Sequence, residues 1–203
     1  MNILHIISSA RGAESFSHKL GDAIVEKLKA ASPESEVVIH DIAALPFPHL
    51  GETQLTSFFT PEDKRTPELA ATVADSDIAI DELMKADTVV IGVPMYNFGI
   101  PSTLKSWIDH IARAGKTFSY GEGGPKGLVQ NKKVYLAISS GGVYSDGAMK
   151  AFDFTESYMR SVLGFLGMTD VAVVRVEGVN IPGLQDEALA KAVNSLSDLG
   201  LAA

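Results

Sequence analysis

Ser9, Ser15 and Ser17 surround the start of a helical pattern, in the loop Ser8-Ser9-Ala10-Arg11-Gly12-Ala13-Glu14-Ser15-Phe16-Ser17. A helix start leaves backbone N–H groups unpaired and carries partial positive charge, so an anion placed there is stabilised, and hydroxyls add donors without bulk. Ser15 alone reads equally well as a plain N-cap. The serines together favour a phosphate. The loop lacks both the Gly-x-Gly-x-x-Gly fingerprint and the Lys-Ser/Thr of triphosphate loops, which suits a monophosphate better than a pyrophosphate.

Two further stretches complement this loop. In Val89-Val90-Ile91-Gly92-Val93-Pro94-Met95-Tyr96-Asn97-Phe98-Gly99-Ile100-Pro101, a β-branched run breaks into Met95, Tyr96, Asn97 and Phe98. Those four residues combine apolar faces with one amide that can hydrogen-bond the polar edge of a ring. The second stretch is Ser139-Ser140-Gly141-Gly142, where backbone can approach a planar ligand because two residues have no Cβ.

The elements that must carry these loops follow from hydrophobic periodicity. Asn2 to Ser8 reads as a strand, and a helix follows the serine loop with Leu20, Ala23, Ile24, Leu28 and Ala30 at helical spacing. Glu36 to Ile42 alternates as an edge strand whose His40 and Asp41 read as solvated or hydrogen-bonded. Ala43 to Pro67 carries four prolines and is long for a plain connection, which points to a lid or an interface; Phe58 and Phe59 fit the buried side of a short helix equally well. Glu68 to Lys85 reads as a helix.

The β-branched run from Val89 is short and closed by Pro and Gly, as expected of a strand covered on both faces. Pro101 suits the first turn of a helix running to Ala114, with Gly115 as its C-terminal cap. On that helix Trp107 reads as core and His110 as a surface or capping group. Lys116 to Asn131 is Gly-rich and reads as an exposed excursion carrying Phe118 and Tyr120. A strand over Lys133 to Ser140, a helix over Ala151 to Leu166, a strand over Thr169 to Val176 and a helix over Gln185 to Leu201 complete the chain.

This alternation of strand and helix implies one domain over residues 1–203: an α/β, doubly wound, five-stranded parallel sheet in the flavodoxin-like order 2-1-3-4-5, with helices on both faces. In that order a ligand binds beyond the carboxyl ends of the strands, at the switch point between the first and third. The three chemical loops follow strands one, three and four, so all of them reach that edge. A phosphate site beside two loops able to enclose a flat heteroaromatic ring points to FMN.

Composition narrows the alternatives. The net charge of −8 and the lack of a basic stripe argue against a nucleic-acid partner. Cysteine is absent, so disulfides, thiolate metal sites and a cysteine nucleophile are excluded; no metal is expected, and redox chemistry would sit on a bound cofactor. There is no basic leader and no apolar run of membrane-spanning length, so the expected setting is cytoplasmic, without a membrane partner. Arg11 and Lys116 read as solvated surface cations.

The block Pro-Met-Tyr-Asn-Phe-Gly-Ile-Pro-Ser-Thr-Leu-Lys-Ser-Trp-Ile-Asp, followed by Arg-Ala-Gly-Lys-Thr-Phe-Ser-Tyr, Gly-Pro-Lys-Gly-Leu, Ser-Ser-Gly-Gly and Leu-Gly-Phe-Leu-Gly-Met, resembles the FMN-dependent NADH:quinone oxidoreductases, also called azoreductases. The resemblance covers nearly the whole chain. It implies FMN contacts at Ser9, at Ser15, Phe16 and Ser17, at Met95, Tyr96, Asn97 and Phe98, and at Ser139, Ser140, Gly141 and Gly142. It also implies a homodimer with shared active sites, in which Tyr120 and Phe165 from the neighbouring chain close the substrate pocket. Ser140 stands where many members have Arg, and Tyr144 where some have His; both departures bear on substrate preference.

The expected activity is a two-step exchange, from NADH or NADPH to the flavin and then to a quinone or azo compound. Asn97 would position the ring and substrate, with Phe98 and Tyr120 as stacking walls. The alternative is a flavodoxin-type electron carrier, against which the Tyr120 excursion and the long Phe58 segment weigh, because a carrier needs an exposed ring edge.

Overall fold

The computed structural model describes residues 1–201. The strands β1 (Asn2–Ile7), β2 (Glu36–Asp41), β3 (Thr88–Pro94), β6 (Lys133–Ser139) and β7 (Asp170–Val176) form a parallel sheet in the order β2-β1-β3-β6-β7. Setting aside the β4–β5 hairpin (Phe118–Gly121 and Gly124–Gly127), this is the 2-1-3-4-5 order expected from the sequence. The sheet is crossed by α1 (Phe16–Ala31), α3 (Pro67–Lys85), α4 (Ser102–Ile111), α5 (Phe154–Leu166) and α6 (Gln185–Asn194), with a shorter α2 (Glu52–Phe59) in the connection after β2.

Every residue of β3 is buried, as the β-branched run requires of a central strand with both faces covered. Its alternate side chains feed two cores. Val89, Ile91 and Val93 join Leu4, Ile6, Leu136 and Ile138 beneath α3, α4 and α5, where Trp107 is fully buried. Val90 joins Ile3, Ala137 and Val174 beneath α1 and α6, against Leu20, Ile24 and Leu196. Gly92, between them, permits the start of α1 to rest on β3: a Cβ there would stand 3.2 Å from the Ser17 carbonyl oxygen. The Ser8 hydroxyl donates to the Gly92 carbonyl at 2.6 Å, fixing the serine loop to the central strand.

Several boundaries and burials differ from the sequence expectation. His110 is 1% exposed rather than on the surface, because the segment before α2 folds back over α4: the His110 Nε2 lies 2.9 Å from the Pro48 carbonyl, and its ring packs against Phe47 and Phe58. Burial lowers its pKa, an effect the Pro48 bond opposes. The segment from Ala43 to Pro67 thus contains a short helix with Phe58 turned inward over Arg113 and Phe59 outward, 79% exposed. α4 ends at Ile111, earlier than Ala114, because the Thr117 hydroxyl bonds the Ile111 carbonyl and the Arg113 N–H in place of further helix.

The excursion after α4 is a hairpin only partly outside the core, since Thr117 and Val129 at its roots are fully buried. Gly127 at its base lies against the Gly167 backbone, where a Cβ would come within 2.2 Å of the Gly167 nitrogen, and Gly167 itself closes α5 at φ 107°. The Ala151–Leu166 helix starts late, at Phe154, with Asp153 as its cap and a 3₁₀ turn over Ala148–Phe152 before it. The last helix gives way at Asn194 to a 3₁₀ turn over Ser195–Leu199, and Leu201 is buried.

Candidate functional site

The carboxyl ends of β1, β3 and β6 bring the serine loop, the Met95–Phe98 loop and the Ser139–Gly142 loop to one edge, as the topology demands. Between them lies a cavity of about 210 Å³. One side is formed by Ser9, Arg11, Ser15 and Phe16 at the start of α1, and the other by Met95, Tyr96, Ser139, Ser140 and Gly141. Ser15 caps α1, its hydroxyl accepting from the His18 N–H at 3.4 Å and sharing a 3.0 Å bond with the Ser17 hydroxyl. Ser17 is 1% exposed and does not line the cavity; it acts behind Ser15 by holding that hydroxyl. The Ser9 hydroxyl lies 3.3 Å from the Tyr96 hydroxyl, closing the corner between the first and third strands.

Backbone bonds tie the loops to one another. The Met95 N–H donates to the Ser139 carbonyl at 2.8 Å, and the Asn180 N–H to the Gly141 carbonyl at 3.0 Å. Gly141 and Gly142 owe their missing side chains to protein neighbours: a Cβ on Gly141 would meet the Asn180 amide at 2.5 Å, and one on Gly142 the Tyr144 ring at 3.2 Å. The Ser140 hydroxyl donates to the Gly142 carbonyl at 2.8 Å, which braces the same turn.

Asn97 and Phe98 occupy the two central positions of a tight turn in which Tyr96 and Gly99 exchange N–H to carbonyl bonds of 2.9 and 3.1 Å. Their φ angles are 49° and 71°, the sign that a two-residue hairpin loop of this kind needs and that L side chains avoid. Such an outlier in a bulky Phe is strain stored at a candidate site. The Asn97 side borders a second depression of about 640 Å³, shared with Tyr96, Lys105, Phe154 and Tyr158. The Phe98 ring stands 5.7 Å from Phe152 and 6.3 Å from Tyr144.

Tyr120 stays apart from both hollows. It is 73% exposed on the hairpin, edge-on to Phe118, whose other neighbour is Phe165 at 4.6 Å. Phe165 therefore packs on the hairpin of its own chain. Sequence reasoning missed Val179 and Asn180, which line the cavity from the loop after β7, although any loop leaving the carboxyl end of a strand beside β6 reaches this edge. Arg11 is an exposed cation, as expected, and stands at the border of the cavity, whereas Lys116 is engaged with Asp77 at 2.6 Å. Burial would raise the Asp77 carboxyl, yet the bonds from Lys116 and Arg113 hold it below its ordinary range. Below the site, His5 is 1% exposed on β1, and burial pushes its pKa down to about 4 despite the Asp22 carboxylate 3.7 Å away.

Residues 1–199 match the profile of a protein family described as having a flavodoxin-like fold. A protein of Mesorhizobium japonicum named FMN-dependent NADH:quinone oxidoreductase is 52% identical over 193 residues, covering 95% of this chain and 92% of its own. One of the same name from Herminiimonas arsenicoxydans is 48% identical, covering 97% of each. The crystal structure of an azoreductase from Bacillus anthracis superposes with a TM-score of 0.90 at 32% identity, covering 99% of both chains. The chain belongs to this flavodoxin-like family and, within it, to the FMN-dependent NADH:quinone oxidoreductases.

Proposed function

We propose that the chain is an FMN-dependent oxidoreductase that transfers two electrons from NADH or NADPH to quinones and azo compounds. The carrying observation is that one cavity joins a capped helix start to the two loops expected to face a ring. The donor set suits FMN. The first turn of α1, the Ser9 and Ser15 hydroxyls and the Arg11 guanidinium meet a phosphate, and Met95 and Tyr96 with Ser139, Ser140 and Gly141 border the ring, which Asn97 and Phe98 reach from the adjoining turn. Ser17 and Gly142 act from behind, through Ser15 and Tyr144. FMN, when bound, supplies the two-electron chemistry; the protein binds, orients and excludes water.

In this reading Asn97 orients ring and substrate, and Phe98 is a stacking wall. Residues 1–203 work as one domain in a homodimer. Tyr120, exposed on its hairpin, closes the pocket of the neighbouring copy. The acceptor is a small molecule, and neither nucleic acid nor a membrane takes part; no helix among the described residues is long and apolar enough to cross a membrane. Cytoplasmic NADH places the reaction in the cytoplasm.

Absorbance under anaerobic conditions tests the reading. Protein reconstituted with FMN is expected to bleach on addition of NADH and to recover its oxidised spectrum with a quinone, with parallel double-reciprocal lines in the steady state. Protein that takes up FMN but stays oxidised with NADH would instead be an electron carrier.

A further inference from the structure

The geometry points to Arg175 as a positioning residue that holds the aromatic wall beside the Asn97–Phe98 turn; this rests on the flavin-site reading above. Arg175 lies on β7, paired in register with Ile138, and its side chain is 13% exposed. Its Nη2 donates to Asp153 Oδ2 at 2.5 Å and to Glu156 Oε2 at 2.6 Å. Nη1 faces Glu177 Oε1 at 3.6 Å, beyond hydrogen-bond reach, and has no other partner. Asp153 and Glu177 are at least as buried as Arg175, at 8% and 12% exposure.

Two of these carboxylates grip opposite ends of the segment that carries the wall. Glu177 Oε1 accepts from the Tyr144 N–H at 2.7 Å and the Ser145 N–H at 2.9 Å, and its other oxygen accepts from the Ser145 hydroxyl. Asp153 Oδ1 accepts from the Thr155 N–H at 2.9 Å and the Glu156 N–H at 3.2 Å, capping α5. The next link reaches the turn itself, where the Phe154 N–H donates to the Phe98 carbonyl at 3.2 Å. Tyr144 and Phe152, the rings on either side of Phe98, therefore stand at the two ends of a span clamped through one guanidinium.

Charge makes the clamp dependent on Arg175. Asp153, Glu156 and Glu177 converge on it; Arg160 engages Glu156 alone among them, and Lys150 and Lys191, which border the same hollows, form no ion pair with any of the three. Burial would raise the Glu156 carboxyl, but both arginines hold it below its usual range. Without Arg175, buried carboxylates face one another unpaired and move apart, taking the Tyr144 and Phe152 backbones with them. None of Arg175, Asp153, Glu156 and Glu177 lines the cavity at the start of α1, so the larger effect falls on the acceptor and the smaller one on FMN retention.

Hydrogen exchange and kinetics on Arg175→Met, Arg175→Lys and Glu177→Gln test the assignment. In the protein without added cofactor, Arg175→Met should speed exchange at the Tyr144, Ser145 and Thr155 amides by roughly tenfold or more, while β1 and β3 amides stay protected. In the FMN-loaded enzyme the quinone KM should rise roughly tenfold, with smaller changes in kcat and in FMN affinity. Arg175→Lys should recover part of the KM, because it restores the charge without the fork. Glu177→Gln keeps the shape and should loosen Tyr144 and Ser145 only, and it decides the matter if Arg175→Met fails to fold. Unchanged exchange at these amides, or loosened amides with unchanged KM, would overturn the proposal. A wild type that neither holds FMN nor oxidises NADH would sink the flavin reading, while the exchange data would still report on the clamp.

Discussion

Around the start of α1, Ser9, Ser15 and Ser17 are each at most 2% exposed and bonded to one another or to the backbone. Across the cavity, Phe98, Phe152 and Phe154 stand 43%, 47% and 58% exposed, and the turn between them holds two side chains at positive φ. The first region is ordered by folding itself. The second has spare surface and stored strain. In the proposed reading the first region takes a phosphate that is the same in every turnover, so it profits from rigidity. The second is proposed to meet acceptors that differ in shape, and half-exposed rings on a strained turn can adjust to them at little expense in core packing.

Acid should break the comparison most strongly, and on the phosphate side, because His5 lies directly under α1, with Gly21 against its ring. Its folded pKa of about 4 lies below the ordinary 6.5. The unfolded chain therefore binds the extra proton first, so the stabilisation is complete above pH 6.5 and is lost as pH falls towards 4. The loss amounts to about 3 kcal/mol at most. Urea unfolding across that window should show a shallower pH slope in His5→Gln than in wild type; equal slopes would remove His5 from the account.

A methyl group probes the same side more gently. Gly92→Ala presses on the Ser17 carbonyl and should lower stability by about 2 kcal/mol, with FMN retention falling as the start of α1 shifts. Denaturant melts and FMN fluorescence titration measure both. On the acceptor side the equivalent insertion meets open space, since nothing lies within 4 Å of a Cβ on Gly99. Gly99→Ala should therefore stay within about 0.5 kcal/mol of wild type.

Asn97→Ala sharpens the comparison at the turn. Asn tolerates the left-handed region better than Ala, so the substitution should lower stability by about 1 kcal/mol and weaken FMN retention or turnover while the fold survives. Unchanged cofactor affinity and kinetics would assign the role to the backbone of the turn.

The sheet order was legible because β-branched runs and crossover helices leave few alternatives, and the Val89–Val93 run marked the buried centre unambiguously. The three loops were legible for the same reason, since strand ends in a parallel sheet share an edge. What escaped was set by neighbours distant in sequence. His110 looked like a surface group because nothing in its own helix shows that Pro48 and Phe47 cover it. That Asn180 and Tyr144 stand against Gly141 and Gly142 was equally hidden, because they belong to other segments. The positive φ of Phe98 had no signal at all, because a bulky aromatic is the residue least expected there.

The attachment of the β4–β5 hairpin bears on how relatives diverge. It rests on Gly127 lying flat against Gly167, on buried Thr117 and on buried Val129, and on none of the residues at its tip. The tip can be exchanged or lengthened without disturbing the sheet, so it behaves as a replaceable cassette. In the proposed homodimer, a change of tip would alter what Tyr120 presents to the neighbouring copy and leave the serine loop untouched.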